Sequence, residues 1–201
     1  MKGLLVVLSG PSGSGKGTVV DQLTAKDGYS LSVSITTRKP RKGEVDGRNY
    51  FFATRQEFEL LMATNALLEH AEYINNYYGT PRKYVNEQIA SGEVVILEIE
   101  VMGALQVKEV FPDALLIFMM PPTLAELRRR LTDRNTEDPA TIESRLEKAK
   151  EEVAMVDNYD YIVINDTVDA AVRQVEEIIA VERSRPTNCV SVVNHFLEVV
   201  C

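Results

Sequence analysis

The stretch Leu4-Leu5-Val6-Val7-Leu8-Ser9-Gly10-Pro11-Ser12-Gly13-Ser14-Gly15-Lys16-Gly17-Thr18 decides the fold. Its first five residues are an unbroken apolar run, which suits a strand buried on both faces, as in a parallel sheet. Residues 10–16 have the spacing Gly, four residues, Gly-Lys. Glycines let successive backbone N–H groups turn inward around phosphate oxygens. A helix starting at the loop adds the positive end of its dipole, and Lys16 reaches the β- and γ-phosphates. Val19, Val20 and Leu23 give that helix an inner face. A mere Gly-rich turn with a surface lysine would need neither the strand before nor the helix after. After the lysine, where Ser or Thr usually ligates Mg²⁺, stands Gly17, and then Thr18. Thr18 is then expected as a phosphate contact and is no assured metal ligand.

Outward from the loop, three more apolar runs read as strands: Val94–Ile99, Leu115–Met119 and Tyr161–Ile164. Helical faces lie between and after them. Leu124, Leu127 and Leu131 form one. Ile142, Leu146, Ala149, Val153 and Val156 form a second, and Val168, Val172, Val175 and Ile179 a third. Buried strands alternating with helices predict an α/β three-layer domain with a parallel central sheet. Residues 34–92 read differently, as a small α+β insertion. It has a basic turn-rich stretch (Thr36–Gly43), a strand over Asn49–Phe52 and a helix around Gln56–Ala66 with Phe58, Leu61 and Met62 inward. A strand region Leu67–Ile74 and a turn at Tyr77–Thr80 complete it. Residues 126–150 are helical and charge-dense, broken at Asn135–Pro139. The core is therefore expected from 1–33, 93–125 and 151–201. The tail after Arg185 carries a short β-prone run, Val190–Val193.

Composition narrows the class. Of 201 residues, 45 % are apolar and 26 % charged, which excludes global disorder. No apolar run approaches the ~18 residues needed to span a bilayer, and Lys2 and Gly3 lead straight into the first strand, with no N-terminal signal. Two cysteines, Cys189 and Cys201, are too few for a disulfide framework and fit a reducing cytosol. The net charge of −8 argues against nucleic acid or an anionic membrane as partner. The charge is unevenly spread. Residues 34–83 carry 8 basic and 6 acidic side chains, residues 126–150 carry 7 and 6, and the remainder carries 7 and 18. An acidic body thus bears two slightly cationic segments.

Several spaced motifs occur in order. Ser34-Ile35-Thr36-Thr37-Arg38-Lys39-Pro40-Arg41 is succeeded by Glu44, Gly47 and Tyr50. Then come Glu69-His70-Ala71, Asn76-Tyr77-Tyr78-Gly79-Thr80 and, after the last strand, Asn165-Asp166. From Leu4 to Ala180 the sequence resembles the guanylate kinase family, which phosphorylates GMP with ATP. The resemblance implies a P-loop kinase that gives ADP and GDP in purine metabolism, with Mg²⁺ as cofactor, dGMP as a further acceptor and a cytoplasmic setting. It implies that residues 34–92 bind GMP and that 126–150 form a lid. Ser12, Gly13, Ser14, Gly15, Lys16, Gly17, Thr18, Arg130, Arg134 and Asn165 would hold ATP. Arg38, Arg41, Tyr50 and Tyr78 would hold the GMP phosphate, and Ser34, Glu69, Thr80 and Glu100 would face guanine. Lys16, Arg38, Arg134 and Arg145 would be the catalytic cations.

The residue types suit these roles. Arg38 and Arg41, three apart, can turn both guanidinium forks on one anion. A carboxylate at Glu69 accepts from guanine N1 and N2 together, whereas adenine would present an acceptor at N1 and lose both bonds. Such unpaired buried groups support discrimination of order 10⁴. Glu98 and Glu100 end an apolar run near the loop, two apart and so on one face of a strand. They are candidates for a metal-bound water, with Mg²⁺ held mainly by phosphates and water. The family pattern has Asp at 100 and Gln at 102, where this chain has Glu100 and Met102, and Gly at 135, where it has Asn135. An ionised acceptor phosphate needs no strong base, so positioning and charge neutralisation carry the reaction. Two other readings compete. One is a guanylate-kinase-like scaffold that binds proteins, which would dispense with Lys16, Arg38 and Arg41. The other is a small P-loop kinase for a phosphorylated sugar, which would not need Glu69, Ser34 and Thr80. His70 and His195 read as structural.

Overall fold

A computed structural model describes residues 3–73, 75–133 and 138–198. Arg134 and Asn135 lie outside the described residues. The core elements are β1 (Leu4–Ser9), α1 (Lys16–Thr24) and β2 (Tyr29–Leu31). The insertion holds β3 (Ile35–Thr36), β4 (Phe51–Phe52), α2 (Arg55–Ala63), β5 (Leu67–Tyr73), β6 (Asn76–Pro81) and α3 (Arg82–Ala90). The chain continues through β7 (Val94–Glu98), α4 (Val101–Val110), β8 (Leu115–Met120), α5 (Leu124–Asp133) and α6 (Pro139–Val153). It ends with β9 (Tyr161–Ile164), α7 (Val168–Arg183) and α8 (Val190–Glu198).

Strands β2-β7-β1-β8-β9 pair in parallel in that order, which makes the expected three-layer core. β1 is central, and all six of its residues are buried. Leu4, Val6 and Leu8 pack with Val19 and Leu23 of α1 and Val172 and Val175 of α7. Leu5 and Val7 pack with Val85 and Ile89 of α3 and Ala104 and Val107 of α4. Successive side chains of a strand point to opposite faces, so a strand covered twice must be apolar throughout. The short strand β2 and the helices α3 and α4 emerge from the structure alone.

The insertion forms a mixed sheet, β4-β3-β6-β5. α2 starts with a capping box in which Thr54 and Glu57 satisfy each other's backbone N–H groups. Phe58 is fully buried and stacks on Tyr77 with ring centroids 5.2 Å apart, while Leu61 and Met62 are half-buried. The turn expected at Tyr77–Thr80 is instead strand β6, pairing with both β3 and β5. Aromatic cross-strand packing outweighs the turn signal of Gly79, whose Cβ position lies 2.8 Å from the Glu69 carbonyl oxygen; close approach of β5 explains that glycine. The reversal falls between β5 and β6, where Asn75 takes φ +59°.

α5 and α6 share a small core of Leu127, Leu131, Ile142, Leu146 and Ala149. Leu124, at the first residue of α5, is 44 % exposed rather than part of that face. The run Val190–Val193 is helical, not extended: the Val193 N–H donates to the Cys189 carbonyl, 3.1 Å away. Four apolar residues do not separate a strand from a helix turn. Among the described residues no helix is long and apolar enough to cross a membrane.

Phe58 joins α2 to β6, so Phe58→Ala leaves a cavity under the insertion. The expected cost is about 3–5 kcal/mol, read as a fall of about 10 °C in melting temperature.

Candidate active site

β1 delivers the chain into the loop Gly10–Gly15 at the carboxyl edge of the sheet. Gly15, at φ +87°, forms the N-cap of α1, whose first turn has no side-chain cap and no acidic residue. Its N–H groups therefore face an open anion position. The Lys16 ammonium donates to the Gly10 carbonyl at 2.5 Å and the Pro11 carbonyl at 3.0 Å, arching over the loop. Below the loop, the Asn165 amide donates to the Ser14 carbonyl at 2.8 Å, and Asn165 is 2 % exposed. A Cβ on Gly15 would stand 2.5 Å from that amide nitrogen. Asn165 thus props the loop from beneath, and Thr18 is exposed on α1.

A cleft of about 420 Å³ opens beside the loop, lined by Ser12, Lys16, Tyr50, Glu98, Arg145 and Lys148 among others. Arg145 on α6 donates to the Ser12 hydroxyl at 3.0 Å, bringing α6 onto the loop. Arg130 on α5 is a clamp: it donates to Glu126 at 2.7 Å, to the Asn165 carbonyl at 2.9 Å and to the Ser14 carbonyl at 3.4 Å. Arg129 and Arg130 together hold the Glu126 carboxyl down at about 2. Glu98 ends β7 opposite Gly17. Although much of its surface reaches solvent, crowding in the cleft pushes its carboxyl above the ordinary range, with Lys16 pulling it back and Asp21 adding to the rise. Glu100 does not share a strand face with it. β7 stops at Glu98, and Glu100 takes the N-cap position of α4, where its carboxylate accepts from Lys148 at 3.0 Å.

A second cavity, about 340 Å³, lies between the insertion and α4 and shares Tyr50, Glu98, Ile99 and Glu100 with the first. Ser34, Glu69, Tyr78 and Met102 line it. Glu69 is 7 % exposed and accepts from the Thr80 hydroxyl at 2.6 Å. Burial pushes its carboxyl up, and the Thr80 bond offsets part of that. Arg38 sits at the mouth. Its fork grips Glu44 in two bonds, 2.8 and 3.0 Å, and its guanidinium lies 5.4 Å from the Tyr50 ring centre. Tyr50 and Tyr78 meet edge-on at 6.1 Å. The Arg41 side chain is exposed, while its backbone N–H donates to Glu44 at 2.7 Å. The Arg38 fork is therefore filled by a carboxylate.

Glu126, Lys148, Glu152 and Gly103 join the site without any signal in the local sequence. A Cβ on Gly103 would come 3.1 Å from a Glu69 carboxylate oxygen, so a methyl group there would press on the acid and shift it by a few tenths of an ångström. Glu152 is 8 % exposed in α6 and lines the first cleft. The charged run of α5 and α6 held these residues in plain view, but helical spacing alone does not tell which acids turn inward. Among the described residues no cluster of three or more His, Cys, Asp or Glu forms a metal cage.

The raised Glu69 carboxyl has a stability consequence. A carboxyl whose folded value exceeds its unfolded one favours the fold when protonated, and that gain is lost as pH rises through the folded value. Glu69→Gln, which keeps the Thr80 bond, is expected to raise the melting temperature at pH 8. The gain should shrink toward the ordinary carboxylate range, where Glu69 is itself protonated; thermal melts from pH 4 to 8 check it.

The family model for guanylate kinase matches residues 2–182. The guanylate kinase of Latilactobacillus sakei is 52 % identical over 186 residues, 92 % of each chain. That of Bacillus subtilis is 52 % identical over 183 residues, 90 % of each chain. The crystal structure of guanylate kinase from Anaplasma phagocytophilum superposes with a TM-score of 0.72 at 33 % identity, covering 92 % of this chain and 88 % of the other. A phosphate loop at the end of a buried parallel strand, an inserted sheet with a buried carboxylate and these relatives agree: this chain belongs to the guanylate kinase family.

Proposed function

We propose that the chain transfers the γ-phosphoryl group of ATP to GMP, giving ADP and GDP, with the residues of its two joined cavities in defined roles. The observation that carries the reading is the buried Glu69–Thr80 pair, facing a cavity that shares a wall with the phosphate-loop cleft. An ionised Glu69 accepts from guanine N1 and N2, and Ser34 and Thr80 add hydroxyls at the ring. The GMP phosphate takes the place of Glu44 on Arg38, with Arg41, Tyr50 and Tyr78 closing on it. The loop N–H groups of residues 12–18 cradle the ATP phosphates. Lys16 leaves the loop carbonyls for the phosphates, and Arg145 approaches from the lid. Arg130 and Asn165 hold the loop in shape beneath the nucleotide. Arg134 is a further lid cation by resemblance. The parts act as a core (1–33, 93–125, 151–201), a GMP-binding segment (34–92) and a lid (126–150).

Bringing two polyanions together is the difficulty. At ~4 Å, unit charges repel by ~1 kcal/mol in water and by several times that in a drier cleft. Cations fixed beforehand around the transferred group remove that cost and hold the attack in line. Mg²⁺ fits the residues present: it arrives with phosphate oxygens and water, as its octahedral habit prefers. Glu98, facing the loop at Gly17, would hold a metal-bound water, with Thr18 beside the phosphates. When bound, the ion supplies positive charge at the transferred phosphoryl group. The attacking GMP oxygen is already ionised, so no side chain need remove a proton. dGMP is a further acceptor, because none of the proposed contacts uses the ribose 2′-hydroxyl. Both substrates are cytoplasmic nucleotides, which supports a cytoplasmic setting for the chain.

Coupled ADP release, with GMP, AMP, UMP and sugar phosphates offered in parallel, is expected to show activity on GMP alone. Arg38→Met should lower kcat/KM for GMP at least 100-fold. Activity within threefold of wild type would end its acceptor-phosphate role. Gly103→Ala is expected to raise KM for GMP about tenfold with little change in kcat, because the new methyl displaces Glu69. The same change should leave the fold as stable or more so, since alanine favours a helix interior by up to ~1 kcal/mol over glycine.

A further inference from the structure

We propose that Lys148 is a further phosphate-binding cation of the first cleft, held there by the buried carboxylate of Glu152, which is thereby a positioning residue. The inference rests on the GMP-kinase reading and deepens it.

Glu152 is out of place unless it serves a cation. α6 buries Ile142, Leu146, Ala149 and Glu152. The first three pack with Leu127 and Leu131 of α5. Glu152 instead lines the cleft beside the phosphate loop. A carboxylate removed from water is costly unless a cation compensates it, and this one faces a cleft suited to polyanions. Burial pushes its carboxyl up; Lys148 pulls it back, Glu100 adds to the rise and Lys16 lowers it again. Lys148, one turn earlier, brings its ammonium to 3.7 Å.

Arg145, Lys148 and Glu152 are spaced i, i+3 and i+7, so they share one helix face. All three line the cleft together with Ser12, Lys16 and Tyr50. The bond from Arg145 to Ser12 fixes that face toward the loop. The Lys148 ammonium therefore belongs to the space between the loop, which takes the donor phosphates, and Tyr50, which takes the acceptor phosphate. Lys148 also donates to Glu100 at 3.0 Å. That carboxylate is 79 % exposed and lines the second cavity as well, so it is free to turn to a base there. The Glu152 side chain is only 11 % exposed. Lys148 thus keeps its buried anchor when a phosphate oxygen replaces Glu100. A compact ammonium suits a phosphate oxygen, and fixing it beforehand spares reorganisation during transfer.

The test uses the full chain, with Lys148→Met, Lys148→Arg, Glu152→Gln and the double variant of Lys148→Met with Glu152→Gln. Lys150→Met, on α6 but bonded to Glu147 outside this cleft, controls for net charge. Inorganic tripolyphosphate, titrated calorimetrically, stands in for the donor phosphates. Lys148→Met is expected to weaken its binding about tenfold and to lower kcat/KM for GMP about tenfold, as loss of one charge-assisted hydrogen bond does. Lys148→Arg, which keeps the charge, should stay within about threefold of wild type in both. Glu152→Gln should lose about threefold in both. The double variant should lose no more than Lys148→Met, because Glu152 acts through Lys148. Lys150→Met should match wild type. Values for Lys148→Met within twofold of wild type, or losses as large in Lys148→Arg or Lys150→Met, would overturn the role of the cation. An unchanged Glu152→Gln, or multiplied losses in the double variant, would overturn the anchor. If the wild type bound tripolyphosphate through Lys148 yet left GMP unphosphorylated, the kinase reading would fail and the cation would stand.

Discussion

A strand buried on both faces must give up its backbone groups to something other than water when it ends, and this constraint organises the molecule. β1 is covered by α1 and α7 on one side and by α3 and α4 on the other. At Ser9 it reaches the carboxyl edge of the sheet, where ligands of open parallel sheets collect. The phosphate loop beyond it is held by its own turn, by Asn165 from below and by Arg130 of α5. Its remaining N–H groups point outward at the start of α1. Every other part of the site takes its position from this loop. β7 pairs with β1 and brings Glu98 alongside, and β9, through β8, brings Asn165.

The site handles charge in a consistent way. Four of its cations are matched with an internal acceptor. Lys16 bonds loop carbonyls, Arg38 grips Glu44, Arg130 grips Glu126, and Lys148 lies between Glu100 and Glu152. Such a set of like charges would otherwise repel across a narrow cleft. The carboxylates hold the cations in place, and Glu44, Glu126 and Glu152 do so with side chains that are themselves largely shielded from solvent. The overall negative charge of the chain is thereby compatible with binding two polyanions: the acids lie mainly on the body, and the cations converge on the cleft.

Much of the fold was legible because the relevant signals are local and strong. The unbroken runs of β1, β7, β8 and β9 report double burial, and the loop motif reports its own conformation. Glu69, Arg38, Tyr50, Tyr78 and Thr80 were readable as a spaced set; Glu69, Tyr50 and Tyr78 line the second cavity, Arg38 packs on Tyr50, and Thr80 is buried behind Glu69. Other features were hidden for identifiable reasons. Tyr77–Thr80 carries a glycine that signals a turn locally, but its neighbours β3 and β5 make it a strand. Val190–Val193 has β-branched residues yet continues as a helix. Gly103 sits in an ordinary helical stretch, and only the approach of Glu69 gives it a reason.

The amino-acid sequence by itself determined the layered α/β core and the phosphate loop, because hydrophobic period and glycine spacing act over a few neighbouring residues, and its spaced motifs carried the family resemblance. Only the tertiary structure decided which charges face one another. Glu100 illustrates the division. Two residues past Glu98 on an unbroken strand it would share that residue's face. Because the strand stops at Glu98, it opens a helix and meets Lys148 of α6. The end of a strand is set by where its neighbours stop pairing with it, and those neighbours are far away in the chain.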